Sequence, residues 1–289
     1  MHRSSSSPSL SLPRRAGLAL AGAAWLAAVL FPAAAFAAQT PAEVTLRSDW
    51  TVRLESDGQG SDARGAQLLA LLGVFGGAKG IATAQDKVTL PTGGNGPYSI
   101  DSTLTPRGAL AALLRRLHWV RSASGRMHSG QADLLAVTSR RGDDPATTVR
   151  IDGGRMDLQA GAQPVQDKAA PRGLLDPLTL GWGYLQRPLP VEPFALPLLI
   201  NDEVRTAHVV PQPVTLQWQG QPVACILLDA KSDDSSARLR IWLRQSDGLP
   251  LQVELGLGER YGLDVVQTLA RVPEGLDRLQ REARLAAAR

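Results

Sequence analysis

The chain has little of what many enzymes and metalloproteins use. Its 289 residues include one cysteine, Cys225, and four histidines. A single cysteine excludes an intramolecular disulfide, and the apolar stretch Val223–Leu228 around it predicts a buried, unreactive thiol. No two histidines have the spacing of zinc ligands, and no Gly-x-Ser-x-Gly elbow of a serine hydrolase occurs. We therefore expect no metal, no cofactor and no catalytic residues.

An excess of charge of one sign is also missing once the first residues are set aside. The chain has 31 basic and 27 acidic residues, and Arg3, Arg14 and Arg15 lie within the first 37 positions. The remainder is close to neutral, which gives no general electrostatic reason to bind nucleic acid. Aromatic residues make up 4%, and we expect the tryptophans to form core or cavity wall rather than a base-stacking platform. This expectation applies to Trp50, Trp119, Trp182 and Trp218.

The first 37 residues have the pattern of an export signal. Three arginines precede an uncharged apolar run from Ala16 to Phe31, and Ala35-Phe36-Ala37 follows as a small-x-small cleavage pattern. As a helix the run is roughly 24 Å long, short for a hydrocarbon core of about 30 Å. We predict cleavage between Ala37 and Ala38 and a periplasmic protein with no stable membrane span. Gly17 disfavours the twin-arginine route, so general export is favoured.

Alternating apolar and polar residues predict that most of the mature chain is antiparallel sheet. In residues 43–55 one face carries five apolar side chains, and Ser48 is its exception. Turn residues separate many further candidates, which predicts an open barrel, half-barrel or sandwich. The apolar positions of the first strand are Val44, Leu46, Trp50, Val52 and Leu54. The further candidates are a strand around Tyr98–Leu104, then Leu134–Ser139, Thr147–Ile151, Arg155–Leu158, Phe194–Ile200, Val204–Val210, Val214–Trp218, Val223–Leu228, Arg238–Arg244, Leu251–Leu257 and Leu263–Leu269.

A few segments depart from this strand pattern. A helix is predicted from Pro106 to about Leu117, and another from Glu274 to about Ala288 with Leu276 and Leu279 on one side. Residues 159–171 are small, polar and proline-bearing, which predicts a linker. That linker would separate two subdomains or cross within one continuous sheet, and the continuous sheet is favoured. We predict a signal peptide at 1–37, a β domain at 38–272 and a helical extension at 273–289.

One hairpin can be assigned a register. Leu239, Ile241 and Leu243 share a face, as do Leu251, Val253, Leu255 and Leu257. A two-residue turn would set apolar against polar residues, whereas a three- or five-residue loop keeps the apolar set together. The prediction is therefore that Leu243 pairs with Val253, that Ile241 pairs with Leu255, and that Glu254 lies opposite Trp242.

Several segments of the chain together form a recognisable set. They are Asp176-Pro177-Leu178-Thr179, Leu185-Gln186-Arg187, Asn201-Asp202-Glu203, Arg240-Ile241-Trp242-Leu243-Arg244, Asp247-Gly248-Leu249-Pro250-Leu251 and Tyr98–Leu114. This set resembles a family of exported bacterial proteins, domain of unknown function 3108. The resemblance covers about residues 43–270. It implies an exported, mostly antiparallel protein of open-barrel type, similar in general shape to envelope lipoprotein carriers, and it brings no catalytic residues with it.

Two groups of residues are candidates for binding. Arg238, Arg240, Trp242 and Arg244 share one face of a strand, where an aromatic ring between guanidinium groups suits an anionic, partly apolar ligand or a partner protein. The alternative is a solvated outer face paired with Glu254. Leu68, Leu71, Leu72 and Phe75 lie in a leucine-rich segment, Ser61–Gly80, which is a candidate gate or plug for a cavity.

These observations favour a non-catalytic periplasmic protein that binds or carries an apolar or lipid-like ligand. An envelope assembly or scaffold protein is the alternative, with edge strands or the C-terminal helix contacting another envelope protein. An uncharacterised hydrolase is a third possibility.

Overall fold

The computed structural model describes residues 42–56, 80–108, 111, 118–200, 203–233, 238–256 and 263–287. Residues 40–289 form one compact unit. Its strands are β1 (Glu43–Ser56), β2 (Ala82–Pro91), β3 (Gly96–Pro106), β4 (Trp119–His128), β5 (Gln131–Arg141), β6 (Thr147–Asp152), β7 (Arg155–Ala160), β8 (Gln166–Ala169), β9 (Phe194–Ile200), β10 (Glu203–Trp218), β11 (Gln221–Ser232), β12 (Arg238–Arg244), β13 (Pro250–Gly256) and β14 (Leu263–Leu269). The described helices are α1 (Pro177–Trp182), which continues into a 3-10 turn (Gly183–Gln186), and α2 (Leu276–Ala287).

All fourteen strands belong to one antiparallel sheet. Its order is β8-β7-β6-β5-β4-β3-β2-β1-β14-β13-β12-β11-β10-β9. Consecutive strands therefore pair, except β8 and β9, which form the two edges, and β1 pairs with β14 in the middle. Trp50 lies opposite Leu269 in that central pair. The predicted fold class, an open and mainly antiparallel β-sheet with short helices, is confirmed.

The two edges of the sheet approach each other without forming a continuous ladder. Leu175, in the segment after β8, forms a single parallel bridge with Leu198 of β9. Its N–H donates to Pro197 at 3.1 Å, and its carbonyl accepts from Leu199 at 2.7 Å. Apolar residues of both halves share one buried cluster there, in which Val137 of β5 and Leu199 belong together. The sheet therefore curls around its own apolar face.

The first strand has the predicted two faces. Its even positions from 44 to 52 are buried, and Leu54 is half-buried, while its odd positions are exposed or half-buried. On the buried face, Ser48 accepts a hydrogen bond from Trp50 Nε1 at 3.2 Å. The predicted exception on this face is therefore a buried polar group that has a partner.

Short α1 lies against the concave side of the sheet. Leu180 and Trp182 are almost completely buried, and the Trp182 ring meets the Trp50 ring edge-on with centroids 6.1 Å apart. Asp176 caps the helix by accepting from the N–H groups of Leu178 and Thr179 at 3.2 and 3.0 Å. Burial of this helix inside the sheet fills much of the space that an empty barrel would enclose.

The C-terminal helix α2 packs through the residues that its spacing predicts. Leu276 and Leu279 are each 2% exposed and join the core cluster that contains Leu46. A bridge between Arg47 of β1 and Glu274 holds the start of this segment against the sheet. The apolar side of α2 is therefore occupied by the same chain.

Two predicted boundaries are wrong. The segment 159–171 is not a linker throughout, because Gln166–Ala169 forms the edge strand β8. The separate strands predicted at 204–210 and 214–218 are one strand, β10. Pro211 and Pro213 are tolerated inside it because β9 stops pairing at Val209 and leaves that edge free.

The hairpin of β12 and β13 has the predicted faces but not the predicted pairs. Ile241 lies opposite Val253, two positions from the predicted partner, and Leu243 lies opposite Pro250. The register shifts after position 242 and leaves Leu251 as a bulge residue. Leu255, Val253 and Pro250 lie opposite the buried Leu239, Ile241 and Leu243, so these apolar side chains share one face, on which Val253 and Leu255 are half-buried. Leu257 lies outside the described residues.

The same register shift changes the partner of one acidic residue. Arg244 N–H donates to the carbonyl of Leu249 at 2.8 Å and closes a four-residue loop, not the three- or five-residue loop predicted. Glu254 consequently lies opposite Arg240 and not opposite Trp242. The predicted Trp242–Glu254 pair is wrong.

Some predictions fall outside the described residues. These are the signal segment with its Ala37–Ala38 cleavage site, the leucine-rich candidate gate Leu68, Leu71, Leu72 and Phe75, and most of the helix predicted from Pro106 to Leu117. Pro106 itself is the last residue of β3. In the part of the chain that the structure describes, no helix combines the length and apolar character needed to cross a bilayer.

Candidate functional site

A row of polar side chains crosses the concave face of the sheet. Backbone register places Ser48, Asp86, Ser102, Arg121 and Ser139 opposite one another on β1, β2, β3, β4 and β5. Side chains directly opposite on one face are close neighbours. The row therefore puts one acidic and one basic residue, separated by a serine, inside an otherwise apolar surface.

Asp86 is a buried carboxylate with incomplete hydrogen bonding. It is 7% exposed, and its Oδ2 accepts from Trp50 Nε1 at 2.9 Å and from Trp182 Nε1 at 3.1 Å. Its Oδ1 has no hydrogen-bond partner among the described residues. Burial raises the pKa of Asp86 to about 6, against a smaller opposing effect of Ser102, Trp182 and Trp50 as donors.

Arg121 is buried on the other side of Ser102 and has its own carboxylate. Its Nη2 lies 3.3 Å from Asp176 Oδ2 and donates to the carbonyl of Leu199 at 3.4 Å. Burial lowers the pKa of Arg121, while the charge of Asp176 raises it. Its Nε has no hydrogen-bond partner within the described ranges. Arg121, on β4, thus contacts both the residue that caps α1 and the backbone of β9.

A cavity of about 120 Å³ lies between α1 and this face of the sheet. Its walls are mostly apolar, and both Asp86 and Arg121 line it. Three tryptophans line it as well, which confirms the expectation that they form core or cavity wall. The remaining lining residues are Ser102, Leu104, Arg141, Pro177, Leu178, Gly181, Ile200, Leu239, Pro250, Val253, Leu255 and Gln267, and the tryptophans are Trp50, Trp119 and Trp182.

Trp119 and Arg141 form the side of the cavity on β4 and β5. Trp119 Nε1 donates to Ser139 Oγ at 2.6 Å. The guanidinium carbon of Arg141 lies 4.5 Å from the centroid of the Trp119 ring, within the range of a cation–π contact. Arg141 is exposed, so this side of the cavity meets solvent.

The residues predicted as a ligand or partner surface do lie together on β12. Arg238 binds Asp229 through two hydrogen bonds of 2.7 and 2.5 Å, and Arg244 binds Asp247 through two of 2.8 and 2.6 Å. The pKa of Asp229 is held below its usual value, because hydrogen bonding and the charge of Arg238 outweigh burial.

Arg240 completes this set of pairs. It contacts Glu254 and lies 3.1 Å from Asp264, and its guanidinium carbon is 5.8 Å from the Trp242 ring centroid. With Asp229 and Asp247, four carboxylates thus face the three arginines of β12. That balance favours structural cross-strand pairing over capture of an anion.

The other titratable candidates are separate from the cavity. His128 and His208 are exposed and pair with Asp133 and Asp233 at 3.5 and 3.0 Å. Cys225 is 1% exposed, which confirms a buried thiol, and burial raises its pKa to about 11. Within the described ranges, no three histidine, cysteine or acidic side chains come together as metal ligands.

Asp86 and α1 were not found by the sequence reasoning. Asp86 occupies an even position in Ala82–Pro91, where Ala84, Val88 and Leu90 mark the buried face. An acidic residue on the apolar face of an alternating segment is the signal that would have identified it.

Comparisons with known proteins add a general structural likeness. No protein-family model matches the chain, and no curated protein matches it. The resemblance to domain of unknown function 3108 is therefore not confirmed. A solved structure described as a beta-barrel-like protein of domain of unknown function DUF1849 from Brucella abortus aligns with 79% of this chain and 96% of its own. The two chains are 9% identical, with a TM-score of 0.43.

Proposed function

We propose that the mature chain is an exported, non-catalytic protein that binds an apolar or lipid-like ligand in the cavity beside α1. The observation that carries this proposal is a cavity walled by tryptophan and aliphatic side chains in the middle of the sheet. Burial of apolar surface contributes roughly 25 cal/mol of favourable free energy per Å², so contact with these walls stabilises a bound apolar ligand. The pattern of residues 1–37 supports export.

The size of the cavity limits what part of a ligand it encloses. Its volume is about 120 Å³, whereas pockets that enclose a complete drug-sized molecule are about 300–1,000 Å³. An apolar cavity of about 150 Å³ accommodates benzene. We therefore expect a ring or a short branched chain to enter, and a lipid to insert only one end.

Two glycines of the α1 region provide a matched test. Gly181 lines the cavity, and a Cβ added there would be 3.9 Å from Ile241 Cδ1, its nearest neighbour. Gly183 is also buried, a Cβ there would have no neighbour within 4 Å, and it does not line the cavity. Alanine at either site gives the same gain in backbone rigidity, but only Gly181→Ala takes up cavity space.

The experiment is a titration with benzene, followed by the indole N–H signals of Trp50, Trp119 and Trp182 in NMR spectra. We expect saturable shifts in the wild-type protein and in Gly183→Ala, at least several-fold weaker binding in Gly181→Ala, and none in Gly181→Leu. Absence of binding to the wild-type protein, or equal binding to all variants, contradicts the proposal. A fluorescent fatty acid and native mass spectrometry of protein from envelope extracts then separate a lipid-like ligand from a smaller one.

A further inference from the structure

The cavity contains a carboxylate that has no ion-pair partner among the residues that the structure describes. Asp86 is the one acidic residue among the described residues that line it. Two indole N–H groups, from Trp50 and Trp182, contact its Oδ2, and its Oδ1 has no partner in the described ranges. A buried carboxylate is costly unless a cation or a full set of donors compensates it. The negative charge of Asp86 is therefore not compensated by a basic side chain among the described residues.

Neither of the two arginines that line the cavity forms an ion pair with Asp86. Arg121 lies two strands away in the row, where Asp176 at 3.3 Å compensates its charge. Arg141 lies on β5, against the ring of Trp119. No ion pair joins Asp86 to a basic side chain in the part of the chain that the structure describes. Ser102, opposite Asp86 on β3, is a neutral donor, so a ligand is the source of positive charge that remains for this carboxylate.

The aromatic residues around Asp86 suit a positively charged group. Trp50 and Trp182 line the cavity and contact the carboxylate through their N–H groups. The ring of Trp119 already contacts the guanidinium groups of Arg141 and Arg121, at 4.5 and 5.6 Å, so Trp50 and Trp182 are the rings for a ligand cation. The face of an indole ring attracts cations, more strongly when they are removed from water. The remaining walls are mainly aliphatic, among them Leu104, Val253 and Leu255.

We propose that the ligand of this cavity carries an ammonium group, which donates to Asp86 Oδ1, on a small apolar body that packs against the tryptophan and aliphatic walls. This inference rests on the proposed function and names the chemical class of its ligand. The volume of about 120 Å³ restricts the enclosed part to a few carbon atoms. The binding step is a charge-assisted hydrogen bond in an apolar site, and no covalent bond changes.

Three probes of similar shape and different charge test the inference. Isobutylammonium, isobutanol and isobutyrate are titrated into the wild-type protein at pH 7.5, again with the indole signals as readout. We expect isobutylammonium to bind at least tenfold more tightly than isobutanol. Asp86→Asn should weaken isobutylammonium at least tenfold and change isobutanol less than twofold. Asp101→Asn, which removes an exposed carboxylate on neighbouring β3, should leave all three affinities unchanged.

The pH dependence of the wild-type protein gives a second measurement, which needs no variant. The pKa of Asp86 is about 6, so the affinity for isobutylammonium should fall about tenfold between pH 7.5 and pH 5. The groups facing Asp86 are Ser48 and Trp50 of β1, Ser102 of β3 and Trp182 of α1, and the charged groups of the cavity are Arg121, with its partner Asp176, and Arg141. Isobutanol binding should not change over the same range.

The possible results separate this inference from the proposed function. If benzene and isobutanol bind but isobutylammonium binds no more tightly, the cavity is a ligand site and the inference about its ligand is wrong. Tightest binding of isobutyrate overturns it too, because an anion would then be recognised by the arginines that line the cavity, Arg121 and Arg141. If none of the probes binds, including benzene, both proposals are wrong.

Discussion

Replacement of Asp86 by asparagine should stabilise the protein at neutral pH. The pKa of Asp86 is raised from 3.8 to about 6 by burial. Each unit corresponds to about 1.4 kcal/mol, so the ionised carboxylate costs the folded state about 3 kcal/mol. The folded state binds the proton more tightly than the unfolded state does. The protonated form therefore contributes full stability below about pH 4, and this contribution is lost as the pH rises to about 6.

The substitution removes this titration and keeps an acceptor for the two indole donors. Asp86→Asn should therefore unfold like the wild-type protein near pH 4 and resist urea by about 3 kcal/mol more at pH 7.5. For a domain of this size, that corresponds to a rise in Tm of about 6–12 °C. Urea unfolding of both proteins at several pH values measures the difference, in which the titration of all other groups cancels.

Two outcomes of the urea measurements would contradict the role of burial at Asp86. If the stability difference between Asp86→Asn and the wild-type protein does not grow between pH 4 and pH 6.5, burial does not raise the pKa of Asp86. A difference of the opposite sign, with the wild-type protein more stable at neutral pH, would mean that the carboxylate has a cationic partner. Asp101→Asn serves as the control, because Asp101 is exposed and should leave the pH profile unchanged.

Other substitutions test the supports of the cavity and the core. Asp176→Ala should cost about 3–5 kcal/mol in urea unfolding, because it removes the cap of α1 and leaves Arg121 buried without a counter-charge; Arg121→Met combined with Asp176→Leu should cost less than that single change. Gly248→Ala should destabilise by about 1–3 kcal/mol, because its φ is 73° and a Cβ would lie 2.2 Å from a backbone oxygen of the 3-10 turn; Gly93→Ala, with no neighbour within 4 Å of its Cβ, is the control. Cys225 should react with a thiol reagent at pH 7.5 only after unfolding in urea, since burial raises its pKa to about 11; rapid labelling of the folded protein would contradict its burial.

Many strands could be predicted from the alternation of apolar residues, whereas two strands with a charged residue on the buried face were missed. The candidates at Phe194–Ile200 and Arg238–Arg244 coincide with β9 and β12, and Leu263–Leu269 coincides with β14. Strands β2 and β4 were missed because Asp86 and Arg121 interrupt their buried faces. The residues that make the cavity a candidate site therefore also weakened the local pattern.

The helix and the exact pairings depend on tertiary structure. Helix α1 has six residues, too few for a helical period to be recognised. A bulge at Leu251 decides the register of β12 against β13, and the alternation of apolar residues is compatible with more than one loop length. Contacts of Asp86 with Trp182, 96 positions along the chain, form only when α1 enters the sheet.

The pairing of β1 with β14 brings together two strands that are far apart in the sequence. Among the described strands β1 comes first in the sequence and β14 last. The hydrogen bonds between them, and the carbonyl of Leu269 that accepts from Trp218, therefore form only after the chain up to β14 is present. A chain shortened before Leu263 would expose two adjacent unpaired strand edges, β1 and β13, in the middle of the molecule. The centre of the sheet therefore closes only in a chain that includes Leu263–Leu269.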